Sequence, residues 1–371
     1  MDMHFEKMQS GFENAERTAE IMIIKDNLEF HAAELRKAPG LDGWLPIRIP
    51  AEIGGKLSPR GRFIAMDTVT TEIRFITDAP TVDVSLSAVK PEFGVELLEV
   101  RVFYGNFEAP GIWLKPGVVT TFRLTPQNAA IRGIKTEYLR KGPGIGFAPN
   151  VIRLVSQRGG MIYCGINTFG APVRPPEPTE KPAKTCLFYG SSITNSHLDG
   201  YPSVACKALG TDIINLGMCG SCQIEPELAE WMAARSDWDL AVFELGINIL
   251  WMEPGEFRRR ADHLLKAFLS RRPEKPVVLL TLFPSKARFE FAEKPDEENK
   301  DAAFCEILRD LHTEYSEKGN VHLIEGKDIL TDLNGLGADF LHPKIYGHAV
   351  MGLNLAKKLA PLLSTETKKQ I

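Results

Sequence analysis

From Lys184 onward the chain repeats one unit, an apolar run followed by an amphipathic stretch of helical period. The runs are Lys184–Tyr189, Asp212–Leu216, Asp239–Leu245, Pro276–Leu282 and Asn320–Glu325, and the helical stretches are Tyr201–Leu209, Pro226–Arg235, Pro254–Arg271, Glu297–Glu317 and Pro343–Leu363. Strands that are apolar on both faces must be covered on both faces, and interleaved helices supply that cover. The pattern therefore predicts an α/β domain of three layers around a five-stranded parallel sheet. Right-handed crossovers then carry the loops that follow the strands to one edge, the carboxyl edge, where residues far apart in sequence meet.

The preceding region follows a different rule. Between Trp44 and about Phe169 the runs Thr71–Ile76, Thr81–Leu86, Leu98–Tyr104 and Val118–Leu124 are short, alternating or β-branched, with turn residues between them at Asp78-Ala79-Pro80, Gly105-Asn106 and Lys115-Pro116-Gly117. Alternation of this kind predicts an antiparallel β-sandwich, jelly-roll-like, with one wet face per strand. Gly142-Pro143-Gly144-Ile145-Gly146 lacks the strand-to-helix setting of a phosphate loop and is expected to be a hairpin loop. Ala171 to Lys184 holds five prolines and no apolar period, as a stiff linker would. The expected division is a sandwich domain at 41–170, a linker at 171–184 and the α/β domain at 185–371. Within residues 1–40 the stretch Glu13 to Lys25 is open between a helix and, at Ile21–Ile24, a strand.

A chain of 371 residues is long enough for two cores, and its net charge of −4 lacks the basic excess that a nucleic-acid or anionic-membrane surface needs. No apolar run approaches the roughly 20 residues of a membrane span, and Met1–Ser10 is too polar for the apolar part of a signal peptide. A cytoplasmic location is expected, and the six cysteines are read as reduced and packed.

Four of the loops at the carboxyl edge carry chemistry. They are Gly190-Ser191-Ser192, Asn215 to Gly220, Glu244 to Asn248, and Asp339 to Pro343. Leu187 to Thr194 reads as a buried strand entering a tight glycine turn that delivers Ser192 to the first turn of a helix, where a serine is either a nucleophile or a plain N-cap. Acyl transfer needs a nucleophile, a base, a group to orient the base, and donors for an oxyanion. Ser192, His342 and Asp339 are candidates for the first three. The backbone N–H groups of Ser192 and Gly220 and the Asn248 side-chain amide are candidate oxyanion donors.

These blocks resemble those of the SGNH/GDSL hydrolase superfamily, through Gly190-Ser191-Ser192-Ile193-Thr194, Gly220, Gly246-Ile247-Asn248, and Asp339 to His342. The resemblance spans Cys186 to about Leu363 and, with the sandwich ahead of it, looks like the branch of two-domain GDSL-like esterases. It implies a flavodoxin-like domain and hydrolysis, or occasionally transfer, of short acyl esters, often acetyl groups on sugars. Two positions depart from the superfamily pattern. Ser191 stands where the first block usually has an acid, and Ile249 stands where an acid usually follows the third-block asparagine. There is no glycine-x-serine-x-glycine elbow of an ordinary α/β-hydrolase.

The expected activity is that of a serine esterase acting on a short-chain ester such as an O-acetylated carbohydrate, with no metal and no organic cofactor. Its partner is then a small-molecule or oligosaccharide ester rather than a nucleic acid or a membrane. The alternatives are an acyltransferase with the same triad and, from a different class, a carbohydrate-binding protein with an idle hydrolase domain. Trp251 and Met252 either line an acyl pocket or plug an apolar loop, and Phe283 to Lys300 is placed to hang over the site as a partial lid. His348 is read as structural, Cys219 and Cys222 as packed thiols rather than a metal half-site, and Arg258-Arg259-Arg260 as a solvated helix face.

Overall fold

The computed structural model describes residues 22–89, 96–126, 129–132, 146–286 and 295–364. Its first part is a sandwich of two antiparallel sheets. The larger sheet has seven strands and runs Ile23–Lys25, Leu28–His31, Glu72–Thr77, Ile152–Ser156, Leu98–Tyr104, Phe107–Leu114, with Val173–Arg174 added beside Glu72–Thr77. The smaller has five, Glu34–Lys37, Trp44–Ile47, Gly160–Asn167, Val82–Val89 and Thr120–Leu124. Alternation decides which residues face inward: Val82, Val84 and Leu86 of one sheet pack with Phe75, Val100 and Leu154 of the other in a common core.

Two segments are more regular than the sequence suggests. Residues 23–37 supply three strands to the sandwich, Ile23–Lys25, Leu28–His31 and Glu34–Lys37, the last two feeding different sheets. Residues 1–21 and the glycine-rich 142–145 lie outside the described residues. In the proline-rich segment, Val173 and Arg174 pair with Thr77 and Ile76, and the Arg174 guanidinium donates to both carboxylate oxygens of Glu180 at 2.7 and 2.9 Å. The segment is thereby stitched to the end of the interior strand Glu72–Thr77.

The second part has a five-stranded parallel sheet in the order Asp212–Asn215, Thr185–Tyr189, Leu240–Glu244, Val277–Leu280, Val321–Ile324. On one face lie the helices Pro226–Ala234, Pro254–Arg271 and Pro295–Tyr315, packing Leu228, Phe257 and Phe304 onto Leu187, Phe243 and Leu279. On the other face Tyr201–Leu209 and Ile345–Ser364 pack Ala205 and Leu355 onto Phe188 and Val242. A proline at the first or second position opens the helices at 201, 226 and 254, where a missing N–H costs nothing. Among the described residues no helix is long and apolar enough to cross a membrane.

The sandwich and the sheet are joined by buried polar groups. The Arg74 guanidinium reaches both oxygens of Asp212, at 2.6 and 2.7 Å, and also bonds Glu72 and Glu29. Arg48, 4% exposed, donates to the carbonyls of Asn215 and Gly217 at 2.8 and 3.0 Å. The sandwich thus holds the second of the four loops directly.

Candidate active site

The first strand ends at Tyr189, and Gly190 follows because no side chain fits there. A Cβ on Gly190 would stand 2.4 Å from Thr194 Oγ1 and 2.6 Å from Glu244 Oε2. Beyond it the chain makes one turn, closed by the Asn195 N–H donating to the Ser191 carbonyl at 2.8 Å, and the helix begins only at Tyr201. The expectation that Ser192 opens a helix is therefore corrected. The Ser191 and Thr194 hydroxyls bond sideways to Glu244, and the chain crosses to Gly200 before it winds into a helix. Any oxyanion donor at Ser192 is a turn N–H rather than a helix terminus.

The Ser192 hydroxyl bonds His342 Nε2 at 2.8 Å, across 150 residues of sequence, instead of capping a backbone N–H. His342 Nδ1 bonds Asp339 Oδ2 at 2.7 Å. Asp339 Oδ1 meanwhile accepts the backbone N–H groups of Leu341 at 3.1 Å and His342 at 3.0 Å. Partial burial pushes the Asp339 carboxyl up, but the His342 ring and these two N–H groups outweigh it and hold the carboxyl at about 2. An ionised carboxylate only accepts, so Nδ1 carries the ring proton and Nε2 is left as the acceptor for the serine hydroxyl. The loop is tightened by Phe340, whose φ of 50° is left-handed, and by the Lys286 N–H donating to the Phe340 carbonyl at 2.7 Å.

Asn248 lies in a one-turn 3-10 helix after the third strand. Its Oδ1 accepts the Cys222 N–H at 3.2 Å, which leaves the Nδ2 end as a donor with no partner among the described residues. Ser192, Asn248 and Trp251 line a cavity of about 270 Å³, together with Leu250, Leu341 and Lys286. Trp251 is 66% exposed at its rim. Met252 is a correction: it is 3% exposed and packed in the core behind the third strand, so it does not line the cavity. Gly220 sits in an exposed left-handed turn with φ 68° and is outside the cavity lining.

The remaining sequence candidates have plain surroundings. The buried His348 ring accepts the Tyr201 N–H at 3.3 Å and stacks on the Tyr201 ring, and burial pushes it down to about 3. Cys219 and Cys222 are free thiols, and among the described residues no cluster of histidine, cysteine and carboxylate side chains is arranged to hold a metal ion. Arg259 and Arg260 pair with Glu256, and Arg258 with Glu314. Of the lid segment, Phe283 is buried and Ser285 and Lys286 line the cavity, while 287–294 lie outside the described residues.

Sequence reasoning gave no role to Asn215 or Glu244. The Asn215 side-chain amide donates to the Thr194 carbonyl at 2.8 Å and its oxygen accepts the Gly217 N–H at 2.9 Å, tying the first two loops together. Glu244 was visible as a lone carboxylate ending the otherwise apolar strand Leu240–Glu244, which a buried strand does not tolerate without a partner.

Residues 183–360 match the model of the GDSL-like Lipase/Acylhydrolase family. No curated protein matches the chain in sequence. Among solved structures, the salicylyl-acyltransferase SsfX3 from a tetracycline biosynthetic pathway superposes with a TM-score of 0.73 at 17% identity, over 93% of this chain and 98% of that one. A structure from Bacteroides ovatus assigned as a GDSL-like lipase gives 0.64 at 16% identity, over 92% and 99%. A family two carbohydrate esterase from Clostridium thermocellum, in complex with cellohexaose, gives 0.53 at 13% identity, over 80% and 93%. At these identities the likeness is one of fold, and it extends across the sandwich as well as the parallel sheet.

Proposed function

From the premise that residues 183–360 form a GDSL-like lipase/acylhydrolase domain, we propose that the protein is a serine esterase for short-chain carboxylic esters such as O-acetyl groups on a carbohydrate. The observation that carries this is the unbroken bond path Asp339, His342, Ser192, with distances of 2.7 and 2.8 Å, opening onto a cavity. Ser192 Oγ attacks the ester carbonyl while His342 Nε2 takes its proton, and Asp339 holds the tautomer and stabilises the imidazolium. The oxyanion forms against the Ser192 N–H and the Asn248 amide, with the Gly220 N–H as a third donor from the loop that Cys222 links to Asn248. His342 returns the proton to the leaving alcohol, and water activated by the same ring releases the acid.

The exposed Trp251 indole supplies a flat apolar face at the cavity rim on which a sugar ring can stack, and this favours a carbohydrate ester. A second reading, acyl transfer to an alcohol, is favoured by the near-complete superposition on SsfX3, whose name is that of an acyltransferase. The test is a para-nitrophenyl ester series on the wild type and Ser192→Ala, with and without sugar alcohols as acceptors. Turnover that disappears in the variant, and fluorophosphonate labelling at Ser192 alone, support the assignment. Turnover that survives it removes Ser192 as the nucleophile. Ester product formed in preference to free acid favours transfer.

A further inference from the structure

Ser191 of the first loop is met by a carboxylate from the neighbouring strand. Glu244 is 2% exposed at the end of Leu240–Glu244. Its Oε2 accepts the Ser191 N–H and the Ser191 hydroxyl, both at 2.7 Å, and the Thr194 hydroxyl at 3.0 Å. The chain continues outward: the Tyr201 hydroxyl lies 2.7 Å from Thr194 Oγ1, and since Thr194 spends its own proton on Glu244, Tyr201 is the donor. Ser191 Oγ in turn accepts the Ile193 N–H at 3.1 Å. One carboxylate oxygen therefore grips the residue before Ser192 and the residue two after it. The grip also explains Gly190, whose missing side chain is the space this carboxylate occupies.

We propose that Glu244 is a positioning residue for the nucleophile, fixing from the third strand the turn that aims Ser192 at His342. This rests on the reading of Ser192 as nucleophile given above. An ionised Glu244 accepts all three hydrogen bonds. A protonated one, with its hydrogen on Oε1, still accepts at Oε2 but without the charge that strengthens these three bonds, so the grip loosens. Burial pushes the Glu244 carboxyl up to about 7, against the pull of the Ser191 and Thr194 bonds. The titratable groups facing it are Tyr201 and Cys222, both pushed up by burial and then by the Glu244 charge.

The experiment compares wild type, Glu244→Gln and Thr194→Val by kcat and KM for a short para-nitrophenyl ester between pH 5 and 9, and by the rate of fluorophosphonate labelling. Glu244→Gln keeps the shape and one acceptor oxygen but removes the charge that all three bonds share. Expected are a fall in kcat of about 10- to 100-fold with KM little changed, and a parallel fall in labelling rate. Ser191→Asp placed in a Glu244→Ser background should regain part of the lost rate, because the carboxylate then arrives from the other side of the same contact. A folded Glu244→Gln that matches wild type in rate, labelling and pH profile overturns the proposal. Should that variant fail to fold, Thr194→Val decides in its place, and wild-type labelling by it is likewise fatal. A wild type that neither hydrolyses the ester nor labels at Ser192 removes the functional reading and this inference with it. Labelling that is intact in wild type and unchanged in the variants removes the inference alone.

Discussion

Arg74 of the sandwich and Asp212 of the parallel sheet meet through two parallel charge-assisted bonds, 2.6 and 2.7 Å long, with the arginine 1% exposed. The pair bridges the sandwich core and the core of the parallel sheet, the second of which also takes in Ile49, Leu57, Ile64 and Ala65 from the first half of the chain. A buried charge that loses its partner keeps its desolvation cost, so Asp212→Ala should lower stability by about 3–5 kcal/mol in urea unfolding. The double variant Arg74→Met with Asp212→Leu should be more stable than the sum of its single changes by more than about 1 kcal/mol.

Glu72 belongs to the same cluster, and its pH response has a definite sign. Burial alone would raise its carboxyl, but Arg153 and then Arg74 bring it from the ordinary 4.5 down to about 2. A depressed carboxylate stabilises the fold above its unfolded value and loses that contribution as pH falls through its folded value. Between pH 4.5 and 2 the wild type should therefore lose its advantage in Tm over Glu72→Gln, whereas above pH 5 the gap should stay constant.

Asp339→Asn preserves size but can present its amide N–H to His342 Nδ1, which favours the tautomer with the proton on Nε2. A fall in kcat of about 10,000-fold with near-normal KM is expected from steady-state kinetics. A fall in KM affinity alone would mean that Asp339 acts on substrate binding instead.

Asn248→Ala removes one proposed oxyanion donor and leaves the Cys222 N–H without its acceptor. Such a donor is worth about 2.7–4 kcal/mol in the barrier, so kcat should drop about 100- to 1,000-fold. Asn248→Asp, which accepts from Cys222 but has no N–H to offer, should be as slow, and this separates donation from loop support.

The adjacent residues Trp251 and Met252 should separate binding from stability. Trp251→Ala removes an exposed rim side chain and should raise KM or alter acyl and alcohol preference without shifting Tm. Met252→Ala opens a cavity in the core and should cost about 2–5 kcal/mol of stability while leaving KM alone.

The parallel sheet was legible because its strands are apolar on both faces, and strand candidates such as Asp212–Leu216 end within a residue or two of the observed Asp212–Asn215. The contact of Ser192 with His342 followed from the rule that gathers loops at the carboxyl edge. The turn after Gly190 was not legible, since its reason is a carboxylate on another strand, and no local propensity encodes that distance. The side taken by Met252, pocket or plug, was not legible for a related reason. That residue sits beside an exposed tryptophan in sequence, but the 3-10 turn at Ile247–Ile249 sends Trp251 outward to solvent and Met252 inward to the core. The proline-rich segment was read from composition, whereas its pairing with Thr77 depends on the end of a strand about a hundred residues away in sequence.

Arg48 gives the two halves a common fate. It lies in the sandwich, and its bonds end on the carbonyls of Asn215 and Gly217, inside a loop of the catalytic half. An isolated fragment starting near residue 183 would expose those acceptors and strand Asp212 beside them. The pair of domains is therefore expected to be inherited, expressed and unfolded as one indivisible unit, and replacing the sandwich with an unrelated carrier should silence the catalyst.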